Sequence, residues 1–161
     1  MIILANTKND FSASIHFCHI NKTKNSMTAK VIYFSASKGF ILFSALSLAY
    51  VAIMAMFNPQ SVMDLVGVKL PNTDALSSIR GIYGGVGISI VVLLIYLAFF
   101  QTTKGLSFLS LFWGSYAASR IITWFADGEL GEFGTNWLVI ESVMCVIGLV
   151  LLAFSNKMKD R

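Results

Sequence analysis

An all-α fold, an integral membrane bundle of four antiparallel helices, is what this sequence predicts, and three observations predict it. The 161 residues are 56% hydrophobic and only 12% charged, with a mean hydropathy of +0.72. Soluble domains carry roughly 25% charged residues, so this chain has too few to coat a globule in water. Four apolar runs, at about residues 39–57, 75–100, 105–126 and 136–154, each approach the roughly 20 residues that a bilayer crossing needs. Only four and nine residues separate the last three runs, and connections that short make successive helices antiparallel neighbours.

The segment before the first run has a different character. MIILANTKNDFSASIHFCHINKTKNS, residues 1–26, is polar and low in charge. It lacks the apolar core of a secretory signal. Met27 opens MTAKVIYF just ahead of the first span. Residues 1–26 are therefore expected to be a disordered extension or to precede the true start, and 27–161 to form one transmembrane domain. Within the extension, His16, Cys18 and His19 are soft-metal ligand types in close spacing. A metal site needs a fixed geometry and usually a fourth ligand, which nothing nearby supplies. No metal and no other cofactor is expected. Cys18 and Cys145 form no CxxC motif and no disulfide framework, and Cys145, between Met144 and Val146, reads as a small hydrophobe.

The first span, GFILFSALSLAYVAIMAMF, closes at Asn58-Pro59, because proline cannot continue a helix and restricts the residue before it. The second begins near Ala75 with Asp74 placed as its N-cap. The third ends at Asp127-Gly128, and the fourth is followed by SNKMKDR. In the long loop, residues 58–74, Ser61–Val68 fits a short interfacial helix. An ordered hairpin over the mouth of the bundle fits equally well. Segments on one side of the spans carry Lys30, Lys38, Lys104, Lys157, Lys159 and Arg161, whereas the opposite loops carry Lys69 alone among lysines and arginines. That bias predicts both termini in the cytoplasm and a location in the cell membrane. The net charge of +4 resides in these flanking segments, so it reads as a topology signal and not as a nucleic-acid surface.

Three ionisable residues interrupt the apolar runs. Arg80 lies near the outer end of span two, Arg120 near that of span three and Glu141 near that of span four. At about 1.5 Å per residue they fall into one layer roughly 6–9 Å below the outer boundary. Each costs about 2.5–3.5 kcal/mol at a helix centre and less toward an end. Arg80 can lower its cost by reaching the headgroups. Glu141 is too short to do so and needs either a partner or to keep its proton, and bidentate pairing with Arg120 suits both residues. Arg80 is then expected to join the pair or to line a cavity open outward. Tyr116 shares the face of Arg120, as do Trp113 and Trp124, and Tyr83 follows Arg80 in the second span. Both tyrosines are assigned to the polar layer. Gly81 and Gly85 make a GxxxG spacing with Gly84 and Gly87 alongside, and Ser110, Gly114 and Ala118 recur every four residues. Such small-residue stripes let helices approach closely in lipid.

The stretches IRGIYGGVGISI (79–90) and SRIITWFADGE (119–129), followed by an apolar helix with Glu141, resemble the bacterial membrane family called domain of unknown function 4345. The matching positions are Arg80, Tyr83, Gly84, Gly85, Arg120, Asp127, Gly128 and Glu141. NPQSVMDLVGV, with Pro59 and Gly67, resembles the family's first loop. The resemblance covers about residues 35–154 and leaves the N-terminal extension outside. It implies a small multi-pass protein of the bacterial inner membrane and brings no activity with it. A more distant similarity is to DoxX-like four-helix membrane proteins, some of which are linked to quinone or thiol redox complexes.

Two functions from different classes fit these residues. In the first, Arg80, Arg120 and Glu141 line an outward pocket for a lipid, a quinone or a small anion. In the second, the protein is an accessory or scaffolding subunit, alone or as a homo-oligomer, whose charged layer fixes helix register. A transporter ranks below both, because its ionisable groups would sit at several depths or beside broken helices. Enzymatic chemistry ranks last. No histidine lies in a span, and the chain has neither a nucleophile elbow nor a phosphate loop.

Overall fold

The computed structural model describes the backbone of residues 4–159 and the side chains of residues 27–155, except Ala29. The elements in order are α1 (Leu4–Phe57), α2 (Pro59–Asp64), α3 (Thr73–Ile79), a π-helical segment (Arg80–Val86), α4 (Gly87–Phe100), α5 (Thr102–Asp127) and α6 (Glu132–Lys159). No strand occurs among the described residues. The chain divides into two compact units, Met1–Ala36 and Ser37–Arg161. The first unit is helical from Leu4 onward as part of α1. The side chains of His16, Cys18 and His19 lie outside the described residues. All that follows concerns the second unit, apart from the N-terminal turns of the first apolar helix.

Among the described residues, three helices are long and apolar enough to cross a membrane: Lys30–Phe57, Thr73–Phe100 and Glu132–Ser155. The second combines α3, the π segment and α4 in one unbroken rod. α5 has 26 residues, about 39 Å of helix, which is long enough. Its hydropathy is diluted by Lys104, Arg120 and the hydroxyls of Ser107, Ser110, Ser115, Ser119 and Thr123, so length and composition alone do not place it beside the other three. Large apolar side chains face outward along the helices, with Leu46, Tyr50, Phe57 and Phe125 each more than 70% exposed. A soluble monomer rarely displays apolar surface on this scale. The chain is a helical protein with helices long and apolar enough to span a membrane.

The element ends follow local chemistry. α1 stops at Phe57, as Asn58-Pro59 requires, and the Asn58 amide closes its last turn on the Met54 carbonyl at 2.8 Å. The N-cap of α3 is Asn72, whose side chain accepts from the Ala75 amide at 2.9 Å. Asp74, expected as the cap, lies inside the first turn, where its charge favours the helix N-terminus without bonding to it. α5 ends at Asp127 because Gly128 takes φ +109°, a conformation that L side chains rarely adopt.

The long loop contains a short helix and an ordered turn. Its helix is Pro59–Asp64, shorter than and shifted from Ser61–Val68. The rest folds back as an ordered turn pivoting on Gly67 at φ +70°. The Gln60 side chain holds it by donating to Asp64 at 2.7 Å and to the Val68 carbonyl at 2.9 Å, while accepting from the Leu70 amide at 2.9 Å.

Packing relies on small residues. Gly84 sits against the Met56 and Ala52 backbone, and a Cβ on Gly87 would come within 2.8 Å of the Ala52 methyl. Ile41 and Leu97 both close on Gly105. Gly114 receives the Cys145 sulfur and Gly148 the Ser110 hydroxyl. Gly81 and Gly85, the expected GxxxG pair, meet nothing within 4 Å. Gly84 and Gly87 stand on one face with Arg80, at positions i, i+4 and i+7, and it is this face that meets α1. Ala118 is exposed and its neighbour Ala117 is buried in its place. The largest fully buried side chains among the described residues are Ile41, Leu94, Leu106, Leu109 and the ionisable Glu141.

Candidate functional site

The site is built around Glu141, which α6 presents at 2% exposure. A carboxylate so buried needs its oxygens bonded, because desolvation costs the charged form several kcal/mol. Arg120 supplies both bonds. Its Nε donates to Glu141 Oε2 at 2.7 Å and its Nη2 to Oε1 at 2.9 Å. This is the planar fork that guanidinium and carboxylate share. Arg120 is 21% exposed on its side chain, and its Cζ lies 5.9 Å from the centroid of the Phe133 ring, within cation–π range. The expected Arg120–Glu141 pair is formed.

Arg80 does not join it. Its side chain is exposed and its Nε donates to the Met56 carbonyl at 2.8 Å. The carbonyls of the last turn of α1 lack partners within that helix, and the helix dipole makes that end negative. A guanidinium reaching across from the neighbouring rod satisfies both demands. Arg80 thus caps a helix instead of completing a buried Arg–Glu–Arg layer. Position along a span says nothing about which way a side chain turns around its helix.

A cavity of about 410 Å³ adjoins the pair, in the range of small-molecule sites. Arg120 and Glu141 line it together with Trp113, Tyr116 and Phe112 of α5 and Trp137 of α6. The π segment contributes Ile82, Tyr83 and Val86, and α1 contributes Ser47, Leu48 and Val51. Both expected tyrosines, Tyr83 and Tyr116, are therefore at the cavity with Arg120 and Glu141, and Arg80 is not. α2 and the turn after it add Val62, Met63, Leu65 and Val66. The cavity is not sealed, since Tyr116, Leu65, Val66 and Ile82 are each more than 40% exposed. The Trp113 Nε1 is buried and has no acceptor among the described residues. Trp124, expected on the face of Arg120, is half exposed and lies outside the lining.

Several of these residues had no sequence signal. The apolar contribution of α2 was hidden because six residues are too few to show a periodicity. The π segment had an indirect mark in the three glycines of RGIYGGV, an unusual cluster inside an apolar helix. Such wide turns occur often where a helix serves a site. No group of three or more metal-ligating side chains is present among the described residues.

The sequence model of the family described as Domain of unknown function (DUF4345) matches residues 36–152. No curated protein and no solved structure matches the chain.

Proposed function

We propose, for a chain that belongs to the DUF4345 family, that it is a four-span membrane protein whose cavity binds a small lipophilic molecule taken from the bilayer. The observation behind this reading is the cavity itself. It is apolar and aromatic over most of its wall, carries one polar pair with a buried carboxylate, and opens beside exposed apolar side chains. Ligand sites commonly join a large apolar lining to a few fixed polar groups in this way.

Residue pairings support the antiparallel bundle within this proposal. Along α1 and the second rod, Met56 lies by Gly84, Ala52 by Gly87, and Lys38 over the Phe99 ring. Along α5 and α6, Arg120 meets Glu141, Gly114 meets Cys145, and Thr103 bonds Ser155 at 2.9 Å. In each series one number rises as the other falls. α5 then crosses the membrane despite its hydroxyls, many of which bond backbone carbonyls of the preceding turn: Ser107 to Thr103, Ser110 to Leu106, Thr123 to Ser119. The lysine bias puts both termini in the cytoplasm of the cell membrane, and the cavity in the outer half.

Native mass spectrometry from mild detergent tests the binding reading. Wild type should carry a discrete adduct that Val51→Trp and Ile90→Trp, each filling the cavity, lose while remaining folded. Bare protein in every sample would refute it. That outcome would favour the second reading, a scaffolding subunit in which the bidentate pair fixes the register of α5 on α6. Reporter fusions at the C-terminus test the orientation, and an extracellular signal there would overturn it.

A further inference from the structure

Resting on the binding reading, we infer the class of ligand: an electroneutral lipophilic molecule that offers a carbonyl or ether oxygen, in preference to a free anion.

The charge inventory of the cavity leads to this. Its lining contains one cation, Arg120, and one carboxylate, Glu141, and they bond each other through two contacts. With Arg80 engaged at the end of α1, no surplus positive charge remains to receive an anionic headgroup. An entering carboxylate or phosphate would have to give up water beside a pair that is already neutral, or compete with Glu141 for the same guanidinium. Burying a charge without a counter-charge is the costlier alternative.

The hydrogen-bond inventory then specifies polarity. A guanidinium has five N–H donors, of which Glu141 takes two. The other three have no partner among the described residues, and Arg120 keeps enough exposure to present them. The hydroxyls of Tyr83 and Tyr116, also in the lining, make no hydrogen bond to a described residue. The Trp113 indole N–H is a further donor without an acceptor in the same wall. Both oxygens of the cavity's carboxylate already receive a bond. Arg120 and Trp113 are donors only, whereas the tyrosine hydroxyls can donate or accept, so the complementary ligand brings acceptors. An ester, ketone or ether oxygen does this without adding charge, and its apolar remainder suits Phe112, Phe133 and Trp137.

The cavity contains its own reporter. Trp113 and Trp137 line it and Trp124 does not, so in a Trp124→Phe background indole fluorescence reports on the cavity alone. Two quenchers of matched chain separate the classes: methyl 11-bromoundecanoate and 11-bromoundecanoic acid. The acid is used at about pH 9, well above the carboxyl range. The full chain in detergent is titrated with each, with detergent-partitioned concentrations measured.

The expected result is saturable quenching by the ester and at least about tenfold weaker quenching by the carboxylate, in line with the cost of an uncompensated charge. Tyr116→Phe should weaken the ester by about fivefold, the loss of one hydrogen bond, without changing the midpoint of unfolding. Glu141→Gln frees Arg120 and should move the preference toward the carboxylate by at least about tenfold. Equal or tighter binding of the carboxylate to the wild type would overturn the inferred class and leave the binding reading intact. Absence of saturable quenching by either probe would overturn the binding reading, and the class with it. The wild-type comparison decides the matter even where the Glu141 variant does not fold.

Discussion

The Arg120–Glu141 pair should cost much more to break than to remove. Its two bonds measure 2.7 and 2.9 Å. Hydrogen bonds to charged groups contribute about 1.5–3 kcal/mol each, so the pair's gross interaction is about 3–6 kcal/mol. Breaking a comparable buried pair by losing one partner costs about 3–5 kcal/mol. The two halves are not equivalent, however. Arg120→Met strands a carboxylate that is 2% exposed, whereas Glu141→Leu strands a guanidinium that is 21% exposed beside an open cavity. The first variant should therefore lie near about 5 kcal/mol of destabilisation and the second near about 3. The double replacement keeps the apolar stems, fills the space, and should be close to neutral. The coupling energy from the cycle would then exceed about 3 kcal/mol. Reversible unfolding in mixed micelles, titrated with sodium dodecyl sulfate and followed by far-ultraviolet circular dichroism, measures all four proteins. Single variants that each cost under about 1 kcal/mol and simply add in the double would refute the reasoning. The pair would then be as solvated as a surface salt bridge.

Other expectations follow from the same contacts. Gly87→Leu, whose Cβ would come within 2.8 Å of the Ala52 methyl, should destabilise by about 1–3 kcal/mol through overpacking. Gly85→Ala, in open space, should be neutral or gain up to about 1 kcal/mol from helix propensity; equal losses in the same unfolding titration would contradict the assigned packing face. Arg80→Gln removes the guanidinium from the end of α1 and should cost about 1 kcal/mol. It should also leave ester quenching of Trp113 and Trp137 unchanged, and a loss there as large as that of Arg120→Met would place Arg80 at the cavity after all. Gln60→Ala deletes three hydrogen bonds of the loop. Amide exchange at residues 65–70 should accelerate by about tenfold, corresponding to about 1.4 kcal/mol of lost local protection, while α5 and α6 keep theirs. Unchanged exchange at 65–70 would show that Gln60 does not hold the turn.

The fold's helical, membrane-seeking character was legible because it is a property of composition and run length, which no tertiary contact can reverse. Three of the four apolar runs have that character by themselves, and the third satisfies most of its hydroxyls within its own turns but depends on α6 to pair Arg120. Helix ends were legible where covalent geometry dictates them, as at Asn58-Pro59 and Asp127-Gly128. The N-cap was misplaced by two residues because Asn72 and Asp74 are both good caps and only the path of the loop chooses between them.

At the site, the sequence by itself determined how far Arg80, Arg120 and Glu141 lie from their helix ends, because rise per residue converts position into distance. It also determined that Glu141 needed a partner if it was to stay charged, because its side chain is short and its helix apolar. Tertiary structure decided the azimuth. Gly84 and Gly87 share a face with Arg80 and meet α1, Gly81 and Gly85 lie off that face, Tyr83 lines the cavity, and Arg80 bonds the Met56 carbonyl. Which face turns toward a neighbour is set by packing and not by position along the span. That choice leaves a neutral pair where a cationic layer was expected, and with it changes the kind of molecule the cavity suits.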